Sequence, residues 1–238
     1  YIDNSIKEIP QRQYRLNSVI HEYCNYTLEQ QDKSAILVAR NNDRNELNSE
    51  IHKRLIEKGT LKNENLLTSV NQYGIESSNP YAIGEKVIFT KNDYKLKDTT
   101  GETVGIKNGQ LGKIININGP KVTVQTNTNQ NVIFDTREYK HFDYGYAMTT
   151  FKAQGITVDN ALIVHDSTQK NSNTRNKIYV DVSRAKKSVK IFTDDKEALI
   201  KQAKRFQQKI TSSTFTPYIA KGKERKPIHV SKEKSKEI

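Results

Sequence analysis

The alternation of strands and helices in this chain is broken once. The stretch from Gly84 to Asp135 carries strand and turn signals only, and it limits the fold more than any other feature. Before it, Ala35-Ile-Leu-Val-Ala39 is an apolar run of buried-strand type. Asn42 or Asp43 can cap the helix that follows, in which Leu47, Ile51 and Leu55 recur every four residues and which Gly59 stops. Strand, cap and helix in that order make an α/β unit whose strand lies inside a parallel sheet. Within the interruption, Lys86–Thr90, Leu111–Ile117, Lys121–Thr126 and Asn131–Asp135 read as short strands, and Asn118-Gly119 reads as a hairpin turn. That spacing predicts a small β-barrel inserted over residues 81–140. The alternation then resumes. Strands are expected at 161–164 and 188–192, with a helix over 173–184 between them. A last helix, capped by Asp194 or Asp195, would set Leu199, Ala203, Phe206 and Ile210 on one face.

Four segments follow from this pattern. Residues 1–32 read as a linker and a helix, and residues 33–80 plus 141–211 as the α/β domain. Residues 81–140 are the insertion, and 212–238 a disordered basic tail or a linker to a further domain. Between Lys221 and Ile238 there are seven Lys/Arg against three Glu and no core-forming run. The chain begins at Tyr1 and has Met148 as its only methionine, as expected of an excised piece. A net charge of +12 favours a polyanionic partner, although solubility alone accounts for it equally well. The solitary Cys24 excludes an intrachain disulfide and a cysteine-based zinc cluster. The five histidines show no metal-ligand spacing, so no metal site is expected. No apolar run approaches the ~20 residues that span a bilayer, and a reducing, cytoplasmic setting fits.

Three further segments carry chemistry. Residues 146–159 read Y-A-M-T-T-F-K-A-Q-G-I-T-V-D, residues 179–193 read Y-V-D-V-S-R-A-K-K-S-V-K-I-F-T, and residues 36–48 read I-L-V-A-R-N-N-D-R-N-E-L-N. These resemble motifs V, VI and IV of superfamily 1 helicases, especially the RecD-like branch and the helicase part of conjugative relaxases of the TraA/TraI type. The run G-E-K-V-I-F-T-K-N-D (84–93), followed by K-N-G-Q-L-G (107–112), resembles the start of the Src-homology-3-type insertion of that branch. The resemblance covers about residues 33–205 and implies a RecA-like fold, the second of a motor's two such domains.

In those roles the residues make physical sense. Arg184, at the end of a helix, can reach a γ-phosphate held by a partner domain, and its permanently charged planar fork suits that task. A structural pairing with Asp181 or Asp166 is the alternative. Thr149 and Thr150, at or near a helix start, can offer hydroxyls and N–H groups to a phosphate of single-stranded DNA, with Lys152 adding charge. The resemblance places Gln154 and Gly155 in the interdomain cleft on the nucleotide side, with Gly155 permitting a close backbone approach. Arg40 and Asn41 at a strand's carboxyl end are a plausible phosphate contact. Phe151 stands where the family usually has histidine, Ala153 where it has serine, and Asp181-Val182-Ser183-Arg184 where it has A-L-S-R. Phe151 can still stack on a base. Tyr144 and Tyr146 read as packing residues, and His165 and Asp166 as structural.

No G-x-x-x-x-G-K-[ST] occurs, so the piece alone is not expected to hydrolyse ATP. The expected function is that of the second motor domain of an ATP-dependent 5′-to-3′ DNA helicase, most in keeping with a conjugative relaxase. ATP and Mg²⁺ would be bound mainly by a first RecA-like domain outside this chain. Single-stranded DNA, that first domain and other conjugation proteins are the expected partners. A stand-alone RecD-like repair helicase, or a degenerate module that only binds single-stranded DNA, are the alternatives.

Overall fold

In the computed structural model, residues 5–70, 74–169 and 175–204 are described. Five parallel strands form the central sheet in the order β1 (Ile6–Glu8), β12 (Ala185–Thr193), β11 (Val158–Val164), β2 (Ser34–Val38), β10 (Ala147–Thr149). Side chains alternate across it as strand geometry requires. Ile36, Val38, Leu162, Val164 and Phe192 share one core with α1 (Arg12–Cys24) and α3 (Asn41–Glu57). Ala35, Leu37, Ala161, Ile163 and Ile191 pack with Leu199 of α5 (Lys196–Lys204) and Ile178 of α4 (Arg175–Val182). The result is an α/β fold with helices on both faces of a parallel sheet.

Several elements differ from the sequence-based expectation. The linker part of residues 1–32 contributes β1, paired with Ile191–Thr193, while the helix expected after it is α1, which buries Leu16, Val19, Ile20 and Tyr23. A three-residue strand offers no periodicity to detect, so only the sheet reveals it. Neither Asn42 nor Asp43 caps α3. The cap lies two residues before Asn42, at Arg40, which makes no side-chain capping bond, and Asp43 instead accepts from Arg12 at 2.6 Å. Of the two carboxylates before α5, Asp195 is the cap, accepting from the Ala198 N–H at 2.8 Å, while Asp194 holds Ser167. Phe206, Ile210 and the tail at 212–238 lie outside the described residues.

The β-only stretch is an antiparallel five-stranded sheet in the order β8 (Asn131–Asp135), β7 (Lys121–Thr126), β6 (Leu111–Asn118), β5 (Lys86–Phe89), β9 (Phe142–Tyr144). Its hairpin sits one residue later than expected. Asn118 pairs with Lys121, so Gly119 and Pro120 are the central residues, and Gly119 takes φ +56°. An antiparallel ribbon of β3 (Lys62–Val70) and β4 (Glu76–Ile83), absent from the sequence reading, leads into this sheet. Its strands are rich in Asn, Ser and Thr and lack the apolar alternation that marks a strand.

The insertion is bolted to the α/β core by a buried polar joint. Glu85 is 0% exposed. It accepts from the Tyr146 hydroxyl at 2.6 Å, pairs with His52 Nδ1 at 2.7 Å and accepts from the Ala82 N–H at 3.3 Å. His52 Nε2 meets Glu64 at 3.1 Å. The joint therefore ties α3, the ribbon, and the chain's entry to and exit from the insertion at one point. Next to it, Lys86 donates to the carbonyls of Gln31, Asp32 and Ser34 at 2.9, 3.1 and 2.6 Å. It thereby neutralises the C-terminal end of α2 (Leu28–Asp32). Gly145 is required sterically, because a Cβ there would stand 2.9 Å from the Val87 carbonyl carbon. Tyr144 and Tyr146 are packing residues, both buried.

Two opposed pH effects follow. Burial works against the His52 imidazolium, but the hydrogen bonds and charges of Glu85 and Glu64 outweigh it, and its pKa is raised. The folded state thus holds that proton more tightly. The stability it contributes is complete below about 6.5 and is lost as pH rises through the folded value. Burial lowers the pKa of Lys86 to about 8 from 10.5, so the unfolded chain binds more protons between those values and stability rises with pH there. Urea midpoints are expected to fall above neutrality and to recover towards pH 10. A continuous fall through that upper window would show that Lys86 keeps its proton in the folded state.

Candidate nucleotide and nucleic-acid interface

The parallel register sorts the candidate residues into two groups. Thr149 pairs with Val38 at the carboxyl ends of β10 and β2, and Arg40 follows β2 directly. Arg184 precedes β12, whose first residue Ala185 pairs with Val158, so it lies at the amino end of the sheet. The six residues of rise between Val158 and Val164 separate the two ends by about 20 Å.

At the carboxyl end, Arg40 donates to Thr168 at 3.1 Å and pairs with Asp166 at 3.2 Å, its side chain 44% exposed. Asn41 is the first residue of α3 and is half-buried. Thr149 and Thr150 do not open a helix. Thr150 donates its N–H to Val38 at 3.1 Å, and residues 150–155 form a compact turn closed by Ala153 N–H to Thr149 carbonyl at 3.0 Å. Gly155, in the left-handed region, and the β-branched Ile156-Thr157-Val158 end the turn before a helix can propagate. The turn consumes part of the N–H array expected to face a phosphate. Phe151 at its tip is 81% exposed. Lys152 is half-buried, and burial lowers its pKa despite the charge of Asp143.

At the amino end, Arg184 has no carboxylate partner among the described residues. Its Nε donates to the Val180 carbonyl at 3.1 Å, one Nη to Ile156 at 3.4 Å and the other to the Ser183 hydroxyl at 3.1 Å. The two carboxylates weighed as its partners are engaged elsewhere, Asp181 with Lys177 at 2.7 Å and Asp166 with Arg40. The guanidinium thus rests on backbone carbonyls of both the helix-end segment and the turn. Gly155 takes φ +89°, a conformation glycine adopts readily, and no atom of the described residues lies within 4 Å of where a Cβ would stand. Gln154 is exposed.

Beside this turn lies a cleft of about 450 Å³ between the insertion and residues 154–157. Asn108, Gln110, Asn127, Gln130 and Gln154 line it. Sequence reasoning passed over the first four, and the amide-rich run Thr126-Asn-Thr-Asn-Gln-Asn131 was the available signal. Among the described residues no group of three or more His, Cys, Asp or Glu is placed to hold a metal. No helix among them is long and apolar enough to cross a membrane.

Comparison with known proteins places this geometry. Residues 81–193 match the family model described as the viral superfamily 1 RNA helicase core domain. The conjugal transfer protein TraA of Rhizobium radiobacter is 24% identical over 171 residues, 71% of this chain and 14% of that protein. A probable TraA of Sinorhizobium fredii (strain NBRC 101917 / NGR234) is 30% identical over 87 residues, 35% of this chain and 7% of that protein. The chain therefore spans a small fraction of the relatives it matches. The Pif1 helicase from Bacteroides, solved with ADP-AlF3 and single-stranded DNA, superimposes with a TM-score of 0.51 at 16% identity. That match covers 91% of this chain and 56% of the other, and it shows the fold alone, an α/β fold with a parallel sheet that resembles a RecA-like domain. The chain is thus similar, over residues 81–193, to superfamily 1 helicase core domains and, over 171 residues, to a conjugal transfer TraA protein.

Proposed function

We propose that the chain is the second RecA-like motor domain of an ATP-dependent 5′-to-3′ DNA helicase within a conjugative relaxase, with the antiparallel sheet as a Src-homology-3-type barrel insertion. ATP and Mg²⁺ would be held mainly by a first RecA-like domain of the same protein. Arg184 would complete the site from across the cleft, and Gln154 and Gly155 would line the nucleotide side. Arg40, Asn41, Thr149, Thr150, Phe151 and Lys152 would form the grip on single-stranded DNA.

The observation that carries this reading is the placement of Arg184. Among the described residues its guanidinium is held by neutral acceptors only, and it touches Ile156 in the turn that runs back to Thr150. An arginine fixed in a structural ion pair would have to give up a carboxylate before reaching a phosphate, whereas this one exchanges weaker neutral hydrogen bonds. When Arg184 leaves Ile156 for a phosphate, the 150–156 turn is freed to shift, which links nucleotide state to strand grip. Phe151, in place of a polar residue, makes that grip depend on stacking at this position.

The test is ATP hydrolysis by the protein extended upstream through its preceding domain, with and without single-stranded DNA. Turnover stimulated by the strand is expected. A protein that binds the strand but shows no stimulated hydrolysis would instead be the degenerate binding module.

A further inference from the structure

The cleft between the insertion and the 154–157 turn has a lining unlike a phosphate or metal site. The side-chain amides of Asn108, Asn127 and Gln154 make no hydrogen bond among the described residues, and all three are exposed at its walls. Gln130 is ordered from one side only, its Oε1 accepting from the Thr128 hydroxyl at 3.2 Å, which leaves its NH₂ group to face a ligand. Leu111 and Ile156 supply apolar surface, and among the described residues Lys107 is the single charged one of the lining. No carboxylate of the described residues lines the cleft, which disfavours a cation, and one lysine is too few for a polyphosphate.

A carboxamide presents a donor and an acceptor side by side, the pattern that matches the edge of a nucleobase. Several such groups around an apolar patch, in a cleft of about 450 Å³, suit a flat neutral ring dense in hydrogen-bonding atoms. Lys107 can meet one phosphate attached to it. The geometry points to a nucleobase-binding pocket, distinct from the strand grip at the carboxyl end of the sheet and sharing Gln154 and Gly155 with the proposed nucleotide side. The base can arrive on a single strand, in which case the inference rests on the DNA-binding reading above, or on a free mononucleotide.

The full chain is titrated, by fluorescence anisotropy and competition, with decamers of deoxyadenosine and of thymidine, with an abasic decamer, and with adenosine 5′-monophosphate. The same series is run on Asn108→Ala combined with Asn127→Ala, side chains that make no bonds the fold needs. The chain is expected to prefer at least one base-bearing decamer over the abasic one by about tenfold. The double variant should lose that preference while keeping the salt dependence that reports phosphate contacts. Mononucleotide binding lost in the variant, with no decamer bound, keeps the pocket and removes the strand. Equal affinity for abasic and base-bearing decamers, or a preference that survives in the variant, overturns the pocket and leaves DNA binding standing. Binding of no probe at all overturns both.

Discussion

Arg184→Ala in the full-length protein is expected to lower ATP turnover by about 10³- to 10⁵-fold while leaving affinity for single-stranded DNA largely unchanged. The size of the effect comes from what the guanidinium would do. It would stabilise charge that develops on the phosphoryl oxygens in the transition state, in a cleft from which water is excluded. The selectivity comes from the sheet. Arg184 precedes Ala185 at the amino end, whereas Thr149 ends β10 and Thr150 follows it at the carboxyl end, about 20 Å away. Arg184→Lys keeps the charge but loses the fork and the three-point rest on Val180, Ile156 and Ser183, so partial activity is expected. Steady-state hydrolysis, read beside DNA binding at fixed salt, separates these outcomes. Unchanged turnover in the alanine variant would remove the arginine from the mechanism.

The second large effect belongs to the buried joint. His52→Leu removes the imidazole that faces Glu85 and leaves a fully buried carboxylate with only the Tyr146 hydroxyl and the Ala82 N–H. Breaking a buried pair from one side costs about 3–5 kcal/mol, because the remaining charge keeps its desolvation penalty without its partner. Replacing both partners, as in His52→Leu with Glu85→Gln, removes the charge together with its counterpart and is expected to recover part of the loss. Urea denaturation of the chain measures both, with the midpoint moving and the slope constant. A single variant that costs under about 1 kcal/mol, or a double variant worse than the sum of the singles, would show that the carboxylate is not held as a charge by this histidine. Because the joint fixes both ends of the insertion, the single variant should also loosen the amide-lined cleft between the insertion and residues 154–157.

The sequence by itself determined the elements whose residues announce their own periodicity or turn chemistry. The apolar runs of β2 and β11, the Leu47-Ile51-Leu55 spacing of α3 and the interruption by short strands were all readable, because each reflects burial on one local surface. The Q-G-I-T-V-D and V-S-R-A segments were also legible, through resemblance, in their order along the chain. What only the tertiary structure decided has a common physical cause: it depends on partners distant in the chain. The strand status of Ile6–Glu8 needs the exposed edge of β12. The joint needs His52 of α3, Glu64 of β3 and, from the connections into and out of the insertion, Glu85 and Tyr146, and each alone reads as an ordinary polar residue. The motif V-like segment is a turn and not a helix start, because Thr150 spends its N–H on Val38, a strand more than a hundred residues away. Arg184 was named from its neighbours in sequence, but its rest on backbone carbonyls, in place of either candidate carboxylate, came from parallel strand packing. That packing brings Ile156 to Arg184 while directing Asp166 to Arg40 and leaving Asp181 to Lys177.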